Sequence, residues 1–183
     1  MMNVVSFEKV KFEDIELIRN WRNSKEVSQF MYTDCIISIE QQINWFYKIS
    51  NSVNSKYWII KFDNTKIGVV NITNIDFSEG SCSWAFYIGE TRYRESGAGV
   101  QTEFNLIEKV FFELNLDIIY CEVISTNIQV INLHKRFGFK LNLNEVSFIT
   151  KNDTSVSIVK FVLYKNDWEI IRENLKKIIF NNI

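Results

Sequence analysis

At 183 residues, with 46% hydrophobic and 23% charged side chains and a formal net charge of -1, the chain has the composition of an ordinary soluble protein able to bury one core. No apolar run approaches the ~20 residues needed to span a bilayer, and scattered lysines and arginines give no footprint for nucleic acid. Three widely spaced cysteines, Cys35, Cys82 and Cys121, and one histidine argue against a disulfide framework and a metal site, and the N-terminus lacks a secretory signal, so a cytoplasmic location is expected.

Residues 4–10 predict a first strand. Ile15, Ile18 and Trp21 then recur at helical spacing, which predicts a short helix over about 13–22, and residues 24–37 link it to a second. Ser38 followed by Gln41 is a capping-box pattern, and the helix it starts runs to about residue 49 with Ile39, Ile43 and Phe46 on one face. Residues 57–62 and 66–75 are β-branched and aromatic, with Asp63-Asn64-Thr65 between them, and predict a hairpin. A turn at Ser78-Glu79-Gly80 leads to a third antiparallel strand over 81–88, which ends at Gly89. Val100, Phe104, Ile107, Phe111 and Leu114 form a continuous stripe and predict a long helix. Beyond it come a buried strand over 117–125 and a helix over 127–136 closed by Gly138. Two strands near 147–150 and 156–164 flank a turn at 151–154. Asn166 and Glu169 suggest a capped final helix over about 166–181, with Trp168, Ile171, Leu175 and Ile178 inward. No linker divides the chain, so one domain over 1–183 is expected.

Between the third strand and the long helix stands Arg94-Glu95-Ser96-Gly97-Ala98-Gly99. Two glycines let the backbone turn tightly, and amides entering a helix N-terminus favour negative charge, so this stretch reads as a phosphate cradle with Arg92 and Arg94 beside it. It lacks the lysine and following serine or threonine of nucleoside-triphosphate loops.

The pattern Arg94-x-x-Gly97-x-Gly99, followed by Asn127-x-x-Val130-x-x-Leu133-His134-x-Arg136-x-Gly138-Phe139, resembles the GCN5-related N-acetyltransferase (GNAT) superfamily. The resemblance implies an α/β (α+β) fold: a mixed, mostly antiparallel, strongly twisted sheet of about seven strands, about four flanking helices and an appended C-terminal helix. It implies acetyl-CoA as donor and no metal. The main chain of Phe86, Tyr87 and Ile88 would hold the pantetheine arm, Arg94, Ser96, Gly97, Ala98, Gly99 and Val100 the pyrophosphate, with Asn127 and Arg136 also on the cofactor. The side chains of Phe86 and Ile88 read equally well as core.

A narrower resemblance rests on Trp21-Arg22-Asn23, then Val27-Ser28-Gln29-Phe30-Met31 and Thr33. This segment is similar to the acetyltransferases of the pseudaminic acid pathway, which acetylate the 4-amino group of a UDP-linked 4-amino-4,6-dideoxy sugar in the assembly of flagellin glycans. Trp21, Arg22, Gln29, Phe30, Met31, Tyr32 and Thr33 would then face the acceptor. A guanidinium at Arg22 suits a diphosphate and aromatic side chains suit a base or sugar face. Trp21, Phe30 and Met31 read alternatively as core, and Arg22 as a partner of the helix C-terminal dipole or an exposed charge.

Acyl transfer needs a neutral amine attacking the thioester, a donor for the developing oxyanion and an acid for the departing thiolate. The superfamily usually places a tyrosine where this chain has His134, and an imidazolium at that position can donate a proton. No base is distinguished, Glu90 and Glu122 being only candidates. A polyamine or protein N-acetyltransferase and a non-catalytic acyl-CoA-binding module are the alternatives. A homodimer is compatible with an exposed sheet edge.

Overall fold

The structure is a computed structural model that describes residues 4–33, 35–142, 147–151 and 154–180. The predicted turn at 151–154 falls partly, and the end of the final helix at residue 181 wholly, outside the described residues.

The chain begins with β1 (Val5–Lys9), a 3-10 turn (Phe12–Asp14) and α1 (Ile15–Asn23). A four-residue helix α2 (Lys25–Ser28) lies in what the sequence reads as a linker. It is too short to leave a periodic signal. Next comes α3 (Ile39–Ser50), whose N-cap Ser38 accepts from the Gln41 amide at 3.2 Å while Gln41 Oε1 accepts from the Ser38 amide at 2.8 Å, the reciprocal bonds the spacing predicts. Strands β2 (Lys56–Phe62) and β3 (Thr65–Asp76) form the expected hairpin, with Asp63 and Asn64 at φ of 47° and 66° making a two-residue turn that leaves Thr65 in the strand. After β4 (Ser81–Ile88) the long helix starts as α4 (Ala98–Glu108). It widens into a π-helical turn over Lys109–Glu113, where the Leu114 amide reaches back five residues to the Lys109 carbonyl at 3.0 Å.

The chain continues through β5 (Ile118–Ile124), α5 (Ile128–Arg136), β6 (Lys140–Leu141), β7 (Ser147–Lys151), β8 (Thr154–Tyr164) and α6 (Lys165–Phe180). The sheet has eight strands rather than about seven, β6 being a two-residue addition, in the order β1-β2-β3-β4-β5-β8-β6 with β7 also on β8. Every pairing is antiparallel except β4 with β5.

Alternation along the strands divides the core into two layers. Ile60, Val70, Ile72, Trp84 and Ile88 pack with Phe104, Ile107 and Phe111 of the long helix. On the opposite face Ile59, Val69 and Tyr87 share one register row and pack with Ile18 and Trp21 of α1 and Trp45, Phe46 and Ile49 of α3. Helix α6 docks through Glu108, which accepts from the Trp168 indole at 2.7 Å and from Arg172 Nε at 3.0 Å.

Three predicted details differ. In α3 the predicted inward residue Ile39 is exposed and the most buried is Gln42, 3% exposed, because the inward stripe runs through Gln42, Trp45, Phe46 and Ile49. In α6 the helix starts one residue early, so Asn166 sits inside the first turn rather than capping it. Ile179 is buried and Ile178 is exposed, one residue round from the predicted face. No helix of the described residues is long and apolar enough to cross a membrane.

Trp21 is 5% exposed, donates its indole N–H to Glu90 at 2.9 Å and lies flat on Gly89, where a Cβ would come within 2.2 Å of its ring. Replacing Gly89 by alanine must displace that indole from the α1 layer. Urea denaturation of Gly89→Ala is expected to give a loss of about 1–3 kcal/mol, the usual cost of overpacking.

Candidate active site

β4 and β5 are paired only at Ser81–Ile118, Cys82–Ile119 and Ser83–Tyr120, although the strands run on to Ile88 and Ile124. Beyond Ser83 they diverge. The main chain of Trp84 to Ile88 stays paired with β3 on one side while its β5-facing amides and carbonyls have no strand partner. An unpaired strand edge of this kind binds an extended, amide-bearing chain by the hydrogen bonds that would otherwise join a neighbouring strand. The opening belongs to a cleft of about 1080 Å³ lined by Trp84 to Ile88, Tyr120 to Ile124, Arg22, His134 and the loop before α4.

The glycine loop lies at one end of this cleft. Gly97 caps α4 at φ 83°, a left-handed conformation that L side chains rarely adopt, and Gly99 faces the Phe86 ring, 3.7 Å from where a Cβ would stand. The first-turn amides of Gly99 and Val100 have no acceptor within the helix, and both residues line the cleft. That end is suited to an anion. Ser96 and Ala98 do not line it: the Ser96 hydroxyl donates to the Tyr93 carbonyl at 2.7 Å and Ala98 is fully buried. Arg94 lines the cleft, yet its guanidinium is occupied elsewhere, with Nη2 donating to the carbonyls of Ile88 at 3.2 Å and Glu26 at 3.0 Å. It ties the end of β4 to α2. Asn127 caps α5 by accepting from the Val130 amide at 3.5 Å, and Arg136 is exposed on the cleft with no ion pair or hydrogen bond among the described residues.

The predicted acceptor residues separate into two groups. Arg22, Phe30, Met31, Tyr32 and Thr33 line the cleft. Trp21 belongs to the core, and Gln29 is exposed with its amide turned back to the Glu26 carbonyl at 3.3 Å, so the structure does not bring these two into the cleft lining. The loop is held by Lys151 of β7, whose ammonium donates to the carbonyls of Ser28, Gln29 and Met31 at 2.7–2.9 Å. Tyr32 donates to Glu122 of β5 at 2.5 Å, and burial together with that bond pushes its phenol upward, so it stays a donor. Glu122 also faces Lys160 at 3.6 Å.

Behind Arg22 the cleft continues into a cavity of about 290 Å³ between the sheet and helices α1 and α3. Arg22 Nη1, Gln42 Nε2 and Tyr87 Oη are buried in its walls with no hydrogen-bond partner among the described residues. Burial lowers the Arg22 guanidinium from its ordinary value and pushes the Tyr87 phenol upward. The sequence did not single out Gln42 or the Tyr87 hydroxyl; the one signal was a glutamine on an otherwise apolar helical face. Below the opening, His134 Nδ1 lies 2.8 Å from Glu103 Oε1, both residues buried, beside the stacked rings of Trp84 and Phe86.

The acetyltransferase (GNAT) domain family model matches residues 5–140, more than half of the chain. The protein belongs to the GNAT acetyltransferase family. This GNAT protein is 29% identical over 143 residues to the acetyltransferase PseH of Campylobacter jejuni serotype O:2, and 26% identical over 141 residues to PseH of serotype O:23/36. Each match covers 77% of this chain and 86% of the relative. In fold it is similar to the spermidine N-acetyltransferase of Vibrio cholerae in complex with CoA and spermine, with a TM-score of 0.83, 16% identity and coverage of 90% of this chain and 98% of that one. A dodecameric form of the Vibrio cholerae enzyme gives a TM-score of 0.76, again at 16% identity, over 90% of this chain and 95% of that one.

Because three carbonyls of the cleft loop share the Lys151 ammonium, Lys151→Met removes them all together. Hydrogen exchange at the amides of residues 29–33 is expected to accelerate by tenfold or more, about the population change a 1.4 kcal/mol loss produces. Exchange in β4 and β5 should be unaltered.

Proposed function

We propose that this acetyltransferase moves the acetyl group of acetyl-CoA to the 4-amino group of a UDP-linked 4-amino-4,6-dideoxy sugar, a step in nonulosonic acid assembly. On the donor side, the unpaired edge of β4 suits the two amides of a pantetheine arm, and the open first turn of α4 suits the pyrophosphate. On the acceptor side, support comes from the similarity to the two PseH acetyltransferases and from the resemblance of residues 21–33 to pseudaminic acid pathway enzymes.

The observation that carries the choice of acceptor is Arg22. Its guanidinium has no carboxylate or hydrogen-bond partner among the described residues, and one of its nitrogens is buried. A cation held half out of water without a counter-ion favours a ligand that brings negative charge, and a guanidinium matches a phosphate oxygen pair. A polyamine brings the opposite sign. No aspartate or glutamate is among the described residues lining the cavity behind Arg22. Nearby carboxylates are already neutralised: Asp14 pairs with Lys66 at 2.6 Å and Glu16 with Arg19 at 2.6 Å. Glu26, Glu95 and Glu122 line the larger cleft, and Glu122 is already held by the Tyr32 hydroxyl at 2.5 Å and faces Lys160 at 3.6 Å.

In the reaction so assigned, the neutral amine attacks the thioester carbon, the carbonyl oxygen takes up negative charge and the carbon–sulfur bond then breaks with the electron pair on sulfur. The β4 amides facing the opening are donors available to the oxyanion.

Purified protein given acetyl-CoA is expected to release thiol with a UDP-4-amino-4,6-dideoxy sugar and not with spermidine or peptide amines. Release with the polyamine alone would overturn the acceptor assignment. Arg22→Met is expected to raise KM for the nucleotide sugar by about thirtyfold or more, the effect of deleting one partner of a desolvated charged hydrogen bond, with KM for acetyl-CoA nearly unchanged.

A further inference from the structure

Glu103 and His134 are a buried ionisable pair walled by aromatic rings. Glu103, on α4, is 0% exposed, and His134, on α5, is 3% exposed. Nδ1 of the imidazole sits 2.8 Å from Oε1 of the carboxyl, and the second carboxyl oxygen, Oε2, is buried with no hydrogen-bond partner among the described residues. The rings of Trp84 on β4, Phe139 after α5 and Phe161 on β8 surround the imidazole at centroid distances of 5.3, 5.2 and 5.8 Å. The other titratable group facing the pair is Cys121 of β5, whose thiol burial and the nearby Glu103 both hold in the protonated form. Among the described residues no lysine or arginine pairs with Glu103.

This arrangement limits the protons the pair can hold. An ionised Glu103 beside a neutral imidazole would be a lone charge in an apolar wall, which is costly, and burial accordingly raises the carboxyl above its ordinary value. Adding one proton makes the pair neutral overall, either as carboxylate with imidazolium or as carboxylic acid with an imidazole protonated at Nε2. In both forms Nδ1 is committed to Glu103 and Nε2 carries a hydrogen. His134 lines the cleft on the side where β4 and β5 part.

We propose that Glu103 and His134 act as one proton-donating unit, in which Glu103 is a positioning residue that fixes Nδ1 and keeps a proton on Nε2, and His134 is the catalytic acid for the thiolate that acyl transfer releases. The amine nitrogen bonds to the acetyl carbon and the carbon–sulfur bond breaks. Sulfur keeps the electron pair and takes the Nε2 proton, and the amine gives up its own proton to water. The pair then holds one proton fewer and regains it from solvent. This rests on acetyl transfer and not on which amine accepts.

Removing the carboxyl at residue 103 leaves Nδ1 without the partner that fixes it, so the hydrogen on Nε2 is no longer set by the pair.

His134 is the only histidine in the chain, so side-chain 15N resonances report on it without assignment. In the full-length protein the imidazole is expected to carry a hydrogen on Nε2 while Nδ1 is held by the carboxyl, and Glu103→Gln to change the Nδ1 signal. Turnover of Glu103→Gln should fall about tenfold, with KM for acetyl-CoA within about twofold. An Nε2 bare of hydrogen in the wild type, undiminished turnover in Glu103→Gln, or wild-type turnover in His134→Phe would each overturn the proposal. If Glu103→Gln fails to fold, the wild-type spectrum and His134→Phe decide. The spectrum needs no acceptor, so an error in the choice of amine appears separately, as absent turnover with the nucleotide sugar beside an intact Nε2–H signal.

Discussion

The seam between β4 and β5 is the constraint on which the site depends. It consists of three parallel pairs, Ser81–Ile118, Cys82–Ile119 and Ser83–Tyr120. On one side β4 is fastened to β3 along nearly its whole length, and on the other β5 is fastened to β8 at all seven residues. Each half of the sheet is therefore cohesive, and strand twist is free to open the line where they join. The seam is parallel, so the carboxyl ends of both strands point the same way. The helices that follow, α4 and α5, start at that end. An opening with two helix N-termini beside it is where an open α/β sheet binds an anionic ligand, and the free edge of β4 adds a row of main-chain donors and acceptors.

The α2 side of the cleft is built by tethering rather than by regular structure. Helix α2 and the loop after it contribute few core residues, Val27 being the buried one. They are fixed instead by three charged or phenolic side chains from different elements: Arg94 at the donor loop, Lys151 on β7 and Tyr32 reaching Glu122 on β5. Arg94 bonds the end of β4 and α2 at once, so the glycine loop and the loop after α2 share a strut. Behind them the core layer of α1 and α3 gives up close packing to leave a cavity with Arg22, Gln42 and Tyr87 unpaired in its walls. Protein interiors rarely leave three such groups unmet without a use for them.

What was legible in the sequence was what local chemistry dictates. Ser38 with Gln41, the Asp63-Asn64 turn, Gly97 at the start of α4 and Gly138 at the end of α5, at φ 84°, each answer a backbone requirement within a few residues. The donor loop was readable for that reason. What was not legible depends on which way a side chain faces once the layers meet. Glu103 stands one position before Phe104 of the apolar stripe of α4 and gives no sign in the sequence of facing inward; only contact with α5 shows it to be a fully buried carboxylate. Gln42 was passed over because a polar residue is expected outside. Trp21, beside Arg22, was assigned to the acceptor, but its indole belongs to Gly89 and Glu90. The α2 turn, the two-residue β6 and the π-helical end of the long helix are set by tertiary contacts and leave no periodicity.

The central claim, that a GNAT scaffold here presents an unpaired buried cation to a nucleotide-linked amine, is tested most directly by equilibrium binding to the protein loaded with coenzyme A. UDP alone is expected to bind measurably, more weakly as salt is raised, while spermine gives no saturable binding. Saturable binding of spermine with none of UDP would contradict the claim.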